Sequence, residues 1–211
     1  MSKIIRELKD MDPEFIKRPD VHTYANAGGE MLRHATRLGV AIDSQRAENA
    51  ATTFYLWLKA VDDYIDNERG NGERILDGLT QPMQPERSAV CLLTERLRNM
   101  TGNPEFVQKM TRLHESVCRE GSARNMEELI KAREDVGYNT AQAALQVVLP
   151  YATGQIQAFG DAWTNVSVLG MLTDSAVDLR KDVKDGVVLF KPTLEEVKLL
   201  GTKIADYKTK T

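Results

Sequence analysis

Acidic and apolar residues recur side by side at helical steps in two segments of the chain, and this pattern restricts the fold more than any other feature. The first segment is Phe54 to Glu68, FYLWLKAVDDYIDNE. Read as a helix, it has an apolar stripe suited to face a core: Phe54, Leu58, Val61 and Ile65. The acids Asp62 and Asp66 lie on the adjoining stripe, and Asp63 is three residues from Asp66. Carboxylates at the border of an apolar interior must be paired, protonated or bound to a metal ion, and hard oxygen ligands suit Mg²⁺.

The second segment repeats this design near the C-terminus. Asp174, Asp178 and Asp182 stand four residues apart, and Asp185 follows. An apolar stripe is expected beside them, at Leu169, Leu172, Ala176, Leu179 and Val183. Basic residues alternate with these acids, so the alternative interpretation is a solvated helix surface with ion pairs between its side chains. If the two acidic helices face each other, the pattern instead predicts divalent ions that bind a strongly anionic ligand such as a diphosphate.

The rest of the sequence is also patterned for helices. We expect helices over Val21 to about Ile42 and from about Ile156 to Val183, and a capping box formed by Thr193 and Glu196. Strand character is confined to the short run Val187 to Phe190. At 211 residues the chain has the length of one domain. The prediction is a single-domain all-α helical bundle over residues 1–211.

Charge and cysteine content indicate which binding partners and which cellular compartment to expect. The 28 basic and 31 acidic side chains give a net charge of -3, so we expect no nucleic-acid partner. The N-terminus has no uninterrupted apolar region, and the apolar passage Ala141 to Ala152 is too short to span a membrane. Cys91 and Cys118 are too few for a disulfide framework. We expect a cytoplasmic protein without a transmembrane segment.

The two acidic segments resemble a known family. LGMLTDSAVDLRKDVKDGVVLFKP is similar to the second aspartate-rich helix of the squalene and phytoene synthase branch of class I isoprenoid synthases. In that pattern an Asn or Asp and then two Asp residues, at four-residue steps, precede a glycine, a short apolar run and a proline. Here these positions are Asp174, Asp178, Asp182, Gly186, Val187 to Phe190, and Pro192. Phe54 to Glu68 resembles the first DDxxD motif of the same family. The resemblance covers mainly residues 46 to 68 and 166 to 192.

The resemblance implies a shortened isoprenoid synthase fold that binds Mg²⁺ and ionises a prenyl diphosphate, releasing diphosphate and condensing or cyclising the prenyl chain. It implies metal ligands on both motifs: Asp62, Asp63, Asp66, Asp174, Asp178 and Asp182. Candidate substrate contacts are Arg133, Tyr138, Arg180, Lys181 and Lys191. Aromatic residues that would line an apolar cavity, or simply form a core, are Tyr55, Trp57, Tyr138, Phe159 and Trp163.

Two other functions stay open at this point. One is an all-α diphosphate hydrolase that uses the acids Glu127, Glu128, Glu134 and Asp135. The other is a non-catalytic helical binding or regulatory protein with a synthase-like fold. Because the chain is shorter than typical synthases of this branch, a homo-oligomer or a partner subunit that completes the pocket is also left open. Substrate chain length and the choice between condensation and cyclisation are not specified by the sequence.

Overall fold

The computed structural model describes residues 3–66, 72–83, 88–101 and 104–211, except for the side chains of Ser44 and Asp66. These residues are largely helical, and the predicted all-α class is confirmed. The helices are α1 (Lys3–Met11), α2 (Pro13–Lys17), α3 (Val21–Arg37), α4 (Ser44–Asp66), α5 (Gly72–Gly78), α6 (Ala89–Thr101), α7 (Pro104–Glu120), α8 (Met126–Val148), α9 (Ile156–Asp185) and α10 (Leu194–Lys208). A short 3-10 helix spans Leu149–Tyr151.

The chain divides into two compact units. The first comprises Met1–Gln108 and Ala144–Phe159, and the second comprises Lys109–Ala143 and Gly160–Thr211. A single domain over residues 1–211 stays a prediction. The first acidic segment belongs to the first unit and the second acidic segment to the second unit.

Helix α4 is the central element of the first unit. It begins after Asp43, whose Oδ1 accepts a hydrogen bond from the backbone N–H of Arg46 (3.4 Å), as a cap residue does. Helices α3 and α6 pack against it, so more of its circumference is buried than one amphipathic stripe would be. Leu56 and Trp57 are buried together with Phe54. The indole N–H of Trp57 donates to Thr94 Oγ1 on α6 (2.9 Å), which satisfies its polar group inside the core.

Three local features differ from the sequence predictions. The helix expected to reach about Ile42 ends at Arg37, and Ala41–Ile42 forms strand β1. This strand pairs antiparallel with β2, Ala152–Thr153, with Ala41 opposite Thr153. The run Val187 to Phe190 is not a strand but part of the connection between α9 and α10. Helices α1 and α2 had no predicted counterpart, because each is short and buries only one or two side chains, such as Ile4 and Leu8 of α1.

The second unit is built on α8, α9 and α10. Its core joins Met126, Leu129 and Ile130 of α8 to Val168 and Leu172 of α9 and Leu200 of α10. The predicted capping box is confirmed: Thr193 Oγ1 accepts from the N–H of Glu196, and the Glu196 carboxylate accepts from the N–H of Thr193. Glu196 Oε1 also accepts from the N–H of Met126 (3.4 Å), so one carboxylate serves the first turns of two helices.

Adjacent glycines of α3 test the close packing of α3 on α4. A Cβ on Gly28 would lie 2.8 Å from the backbone N of Thr52, whereas the nearest atom to a Cβ on Gly29 is 3.6 Å away on the Arg33 side chain. We expect Gly28→Ala to destabilise the protein by about 1–3 kcal/mol, because backbone atoms of α4 must shift. The control Gly29→Ala should stabilise it by up to about 1 kcal/mol, because alanine favours the helix. Urea denaturation of both variants measures this, and equal effects would contradict the packing.

Candidate functional site

The acids of α4 lie in an ion-pair cluster that the chain supplies itself. Lys59 is buried at 7% exposure, and its Nζ lies 2.7 Å from Asp63 Oδ1 and 2.7 Å from Asp20 Oδ2. Asp62 Oδ2 is 3.5 Å from the same Nζ. The guanidinium of Arg18 forms an ion pair with the second oxygen of Asp63. Asp63 is therefore a buried carboxylate with two cationic partners.

This cluster stabilises the charged forms of its members. Burial alone would lower the pKa of Lys59, but its bonds to Asp20 and Asp63 outweigh burial and raise that pKa above the ordinary value. Burial would raise the pKa of Asp20, but the hydrogen bond from Lys59 outweighs it, and the Asp20 pKa lies below its usual range. Since both partners stay charged across neutral pH, the cluster joins the start of α3 to α4 as a permanent ion pair.

The predicted metal ligands of α4 differ in their environments. Both oxygens of Asp63 face cationic side chains, so its predicted role as a metal ligand would require these ion pairs to break, and that role stays a prediction. The side chain of Asp62 is 55% exposed and is turned toward solvent as well as Lys59. The side chain of Asp66 lies outside the described residues, as do residues 67 and 68 of the same segment.

The carboxylates of Asp174, Asp178 and Asp182 on α9 differ from this arrangement. Asp174 is exposed, and Asp178 and Asp182 are partly buried. No other described side chain forms a hydrogen bond or an ion pair with these three carboxylates. The core face of α9 is rotated slightly from its prediction: Ser175 is buried and Ala176 is exposed. This rotation brings the Asp178 and Asp182 positions toward the edge of the core.

The environment of Asp182 disfavours the charged form of its carboxyl group. Burial raises the pKa of its carboxyl group, Arg133 opposes that shift, and the neighbouring charges of Asp178 and Asp174 add to it. Arg133 Nη2 forms an ion pair with Glu120 Oε1 at 2.8 Å, and its side chain is only 14% exposed. Its Nε is buried without a hydrogen-bond partner among the described residues. The second unit therefore holds uncompensated carboxylates and an incompletely satisfied guanidinium within electrostatic range of each other.

The remaining candidate contacts are surface residues. Arg180, Lys181 and Lys191 are exposed, and no described carboxylate lies within ion-pair distance of them. Lys181 does lower the pKa of Asp182 through its charge. Tyr138 is 51% exposed, whereas the other four aromatic candidates are core residues of their own units: Tyr55, Trp57 and Phe159 in the first and Trp163 in the second.

Among the acids proposed for a diphosphate hydrolase, Glu128 and Asp135 form hydrogen bonds or ion pairs with neighbouring residues. Three of these acids, Glu127, Glu128 and Asp135, line a groove of about 420 Å³ together with Arg119, Ser122, Ala123, Lys131 and Ala132. Both oxygens of Glu128 accept hydrogen bonds that cap α8, from Arg124 N and Asn125 Nδ2 (2.8 Å each). Asp135 pairs with Lys131 at 2.9 Å and with Arg119 at 3.5 Å. These partners give the hydrolase interpretation no support.

The donor set on α9 fits divalent cations that complete their coordination with ligand oxygens. The charge of Asp178 raises the pKa of Asp182, and no described cation forms an ion pair with either carboxylate. Within the described ranges no three His, Cys, Asp or Glu side chains are grouped so as to hold a metal ion. An ion at Asp178 and Asp182 would therefore need further oxygens from an anionic ligand and water.

No family model, curated protein or solved structure gave a significant match to the chain. Among the described residues, no helix is both long enough and apolar enough to cross a membrane.

Since α4 and α9 belong to different units, a single metal site shared by their acids stays a prediction. The site residues that sequence reasoning missed are Lys59, Arg18 and Asp20. Only Lys59 had a local signal, its four-residue spacing to Asp63.

Replacing the buried lysine tests the structural role of the α4 cluster. We expect Lys59→Met to destabilise the protein by about 3 kcal/mol, because it leaves buried carboxylate charge with too few partners. The control Lys17→Met removes an ion pair to Glu14 whose side chains are 69% and 75% exposed, and should cost less than about 1 kcal/mol. Urea denaturation followed by circular dichroism compares them. Adding Asp63→Asn to Lys59→Met should recover part of the loss, and equal effects of the two lysine variants would contradict the burial argument.

The raised pKa of Asp182 predicts a pH-dependent penalty. An acid whose pKa is higher in the folded state destabilises that state once it ionises, so the penalty grows as pH rises through the interval above 3.8. We expect Asp182→Asn to raise the melting temperature at neutral pH, and the gain to disappear at acid pH where wild-type Asp182 is protonated. Thermal melts across this range measure it. The exposed control Glu48→Gln should change stability by no more than about 0.5 kcal/mol at any pH, and a neutral-pH loss in Asp182→Asn would contradict the assignment.

Proposed function

We propose that the chain is a Mg²⁺-dependent enzyme that ionises a prenyl diphosphate, releases diphosphate, and condenses or cyclises the prenyl chain. The observation that carries this proposal is the row of Asp174, Asp178 and Asp182 on α9, whose carboxylates pair with no side chain in the described part of the chain. A protein that keeps three neighbouring carboxylates without cationic partners, one of them with a raised pKa, has an electrostatic cost that a bound cation removes. The resemblance of this helix to the second aspartate-rich motif of squalene and phytoene synthases supports the same function.

Bound Mg²⁺ ions would supply Lewis-acid neutralisation of the diphosphate as it departs. Asp178 and Asp182 would hold these ions, and Asp174 occupies the position where the family has Asn or Asp. Arg133, with its buried and unpartnered Nε, would direct positive charge toward the same acids. Arg180, Lys181 and Lys191 are exposed cations available to contact phosphate oxygens. The chain itself supplies no covalent nucleophile in this proposal, because binding and charge stabilisation suffice for departure of the leaving group.

On α4 the proposal separates two roles. Asp62, whose side chain is 55% exposed, keeps the predicted role of a metal ligand together with Asp66. Asp63 instead serves structure, because its pairs with Lys59 and Arg18 hold the acidic end of the helix in place. A metal ligand that is already paired with two cations would have to break both pairs before binding.

A cytoplasmic location and a small-molecule prenyl diphosphate substrate belong to the same proposal. Cys91 is buried, Cys118 is exposed, and neither forms a disulfide with a described residue, as is usual in a reducing compartment. Completion of the hydrocarbon pocket by a second copy or a partner subunit remains part of the proposal. The sequence expectation of no nucleic-acid partner is retained on the same net charge of -3.

Diphosphate release from geranyl, farnesyl and geranylgeranyl diphosphates, with and without Mg²⁺, tests the function. We expect release only with Mg²⁺, and a decrease of at least about 100-fold in Asp178→Asn because charge stabilisation of the leaving group is lost. The matched control is Asp185→Asn, an exposed acid at the end of the same helix that has no assigned role. It should retain activity within a few-fold.

The same experiment separates catalysis from binding alone. Failure of Asp62→Asn as well as Asp178→Asn would support participation of both motifs. Mg²⁺-dependent binding of a prenyl thiodiphosphate analogue without release from any substrate would contradict the enzyme and favour the non-catalytic binding protein. Absence of both release and binding in the folded protein would contradict both versions.

A further inference from the structure

Helix α7 carries a histidine and a cysteine one helical turn apart on the same face. Cys118 Sγ lies 3.8 Å from His114 Nε2, because residues four positions apart project from neighbouring points of a helix. Cys118 is exposed and His114 is partly buried. Within the part of the chain that the structure describes, neither side chain forms another hydrogen bond or an ion pair. The sulfur and the nitrogen are therefore both available to one small ligand.

The separation of these two atoms suits chelation of a metal ion. Zn²⁺ binds cysteine sulfur at about 2.3 Å and histidine nitrogen at about 2.0–2.1 Å, in tetrahedral geometry. Those bond lengths and a tetrahedral angle place the sulfur and the nitrogen about 3.6 Å apart. The observed distance of 3.8 Å is close to that value, so a small rotation of the two side chains would bring both atoms onto one ion.

The segment of α7 between the two donors is anchored inside the second unit. Ser116 lies halfway between them and is buried. Its Oγ accepts hydrogen bonds from Asn139 Nδ2 of α8 (2.9 Å) and from Arg119 Nη2 (3.0 Å). Leu113, beside His114, is also buried. Two donors on a helix that is fixed in this way lose less conformational entropy on binding than donors on a mobile loop.

The charges around the pair do not oppose a cation. Residues 112–120 of α7 contain two basic and two acidic side chains, and so do residues 131–135 of α8. Contacts between the two segments join opposite charges: Arg119 pairs with Asp135 at 3.5 Å, and Arg133 pairs with Glu120 at 2.8 Å. The positive charge of these arginines is therefore balanced, and no local excess of positive charge repels an incoming metal ion.

We propose that His114 and Cys118 form a binding site for Zn²⁺. The Cys118 sulfur binds as the thiolate, so one proton is released to solvent as the metal–sulfur bond forms. His114 binds through the lone pair of Nε2 while Nδ1 keeps its hydrogen. These donors fill two of the four tetrahedral positions, and water occupies the other two. The inference is independent of the diphosphate chemistry, because sulfur and nitrogen select Zn²⁺ whereas the carboxylates of α9 suit Mg²⁺.

Anaerobic titration of the full chain with Co²⁺, an absorbing substitute for Zn²⁺, tests this site. Cobalt bound to a thiolate shows sulfur-to-metal charge-transfer absorption, which cobalt bound only to oxygen ligands lacks. We expect this band to saturate at about one ion per chain, and excess Zn²⁺ but not excess Mg²⁺ to remove it. Cys118→Ser should abolish the band. His114→Gln should weaken cobalt binding by at least about tenfold, because one of the two protein ligands is lost.

The matched controls are Cys91→Ala and His34→Gln. Cys91 is the buried thiol of α6, and His34 is a partly buried histidine of α3. Both variants should keep the band and the cobalt affinity of the wild type, and circular dichroism verifies that each variant is folded. Absence of a thiolate band from the wild type in excess cobalt would overturn the proposal. A band that persists in Cys118→Ser, or wild-type affinity in His114→Gln, would overturn it as well.

Discussion

One buried ammonium group determines how the acidic end of α4 is organised. Lys59 lies among Asp20, Asp62 and Asp63, and its position allows a carboxylate to occupy the interior of a helical unit. An unpaired Asp63 would carry a desolvation penalty of several kcal/mol. The ion pair of Lys59 with Asp20 also connects the residue that precedes α3 to α4, and Gly28 of α3 allows close packing of the same two helices. Charge pairing and backbone packing therefore support the same helix pair.

The two acidic helices look alike in sequence but differ in electrostatics. On α4 the cations Lys59 and Arg18 are brought against Asp63, and the local charge is largely balanced. On α9 the interleaved basic residues Arg180 and Lys181 are exposed, and among the residues that the structure describes none forms an ion pair with Asp178 or Asp182. Spacing alone cannot separate these cases, because it places acids on a face without specifying which cations reach them. The difference explains why the proposed chemistry rests on α9, with α4 in a partly structural role.

Local signals made the helical class and several helix ends predictable. The Thr193 and Glu196 capping box needs only neighbours in sequence, and it is present as expected. The short β1–β2 pairing was missed because Ala41 and Thr153 meet across the chain and neither segment has strand periodicity. The burial of α4 extends beyond the predicted apolar stripe for a similar reason, since it depends on the helices that pack on several sides of α4. In the same way, Asp20 is distant in sequence from Lys59, so no local pattern predicts their contact.

The placement of the two tryptophans gives each compact unit an intrinsic optical reporter. Trp57 is 2% exposed in the first unit, and Trp163 is 5% exposed in the second. Indole emission shifts to longer wavelength when water reaches the ring, so each residue senses the loss of its own surroundings. If one tryptophan is replaced by phenylalanine, the fluorescence reports on the unit that contains the remaining tryptophan. Comparing the two transitions distinguishes units that unfold together from units that unfold in succession.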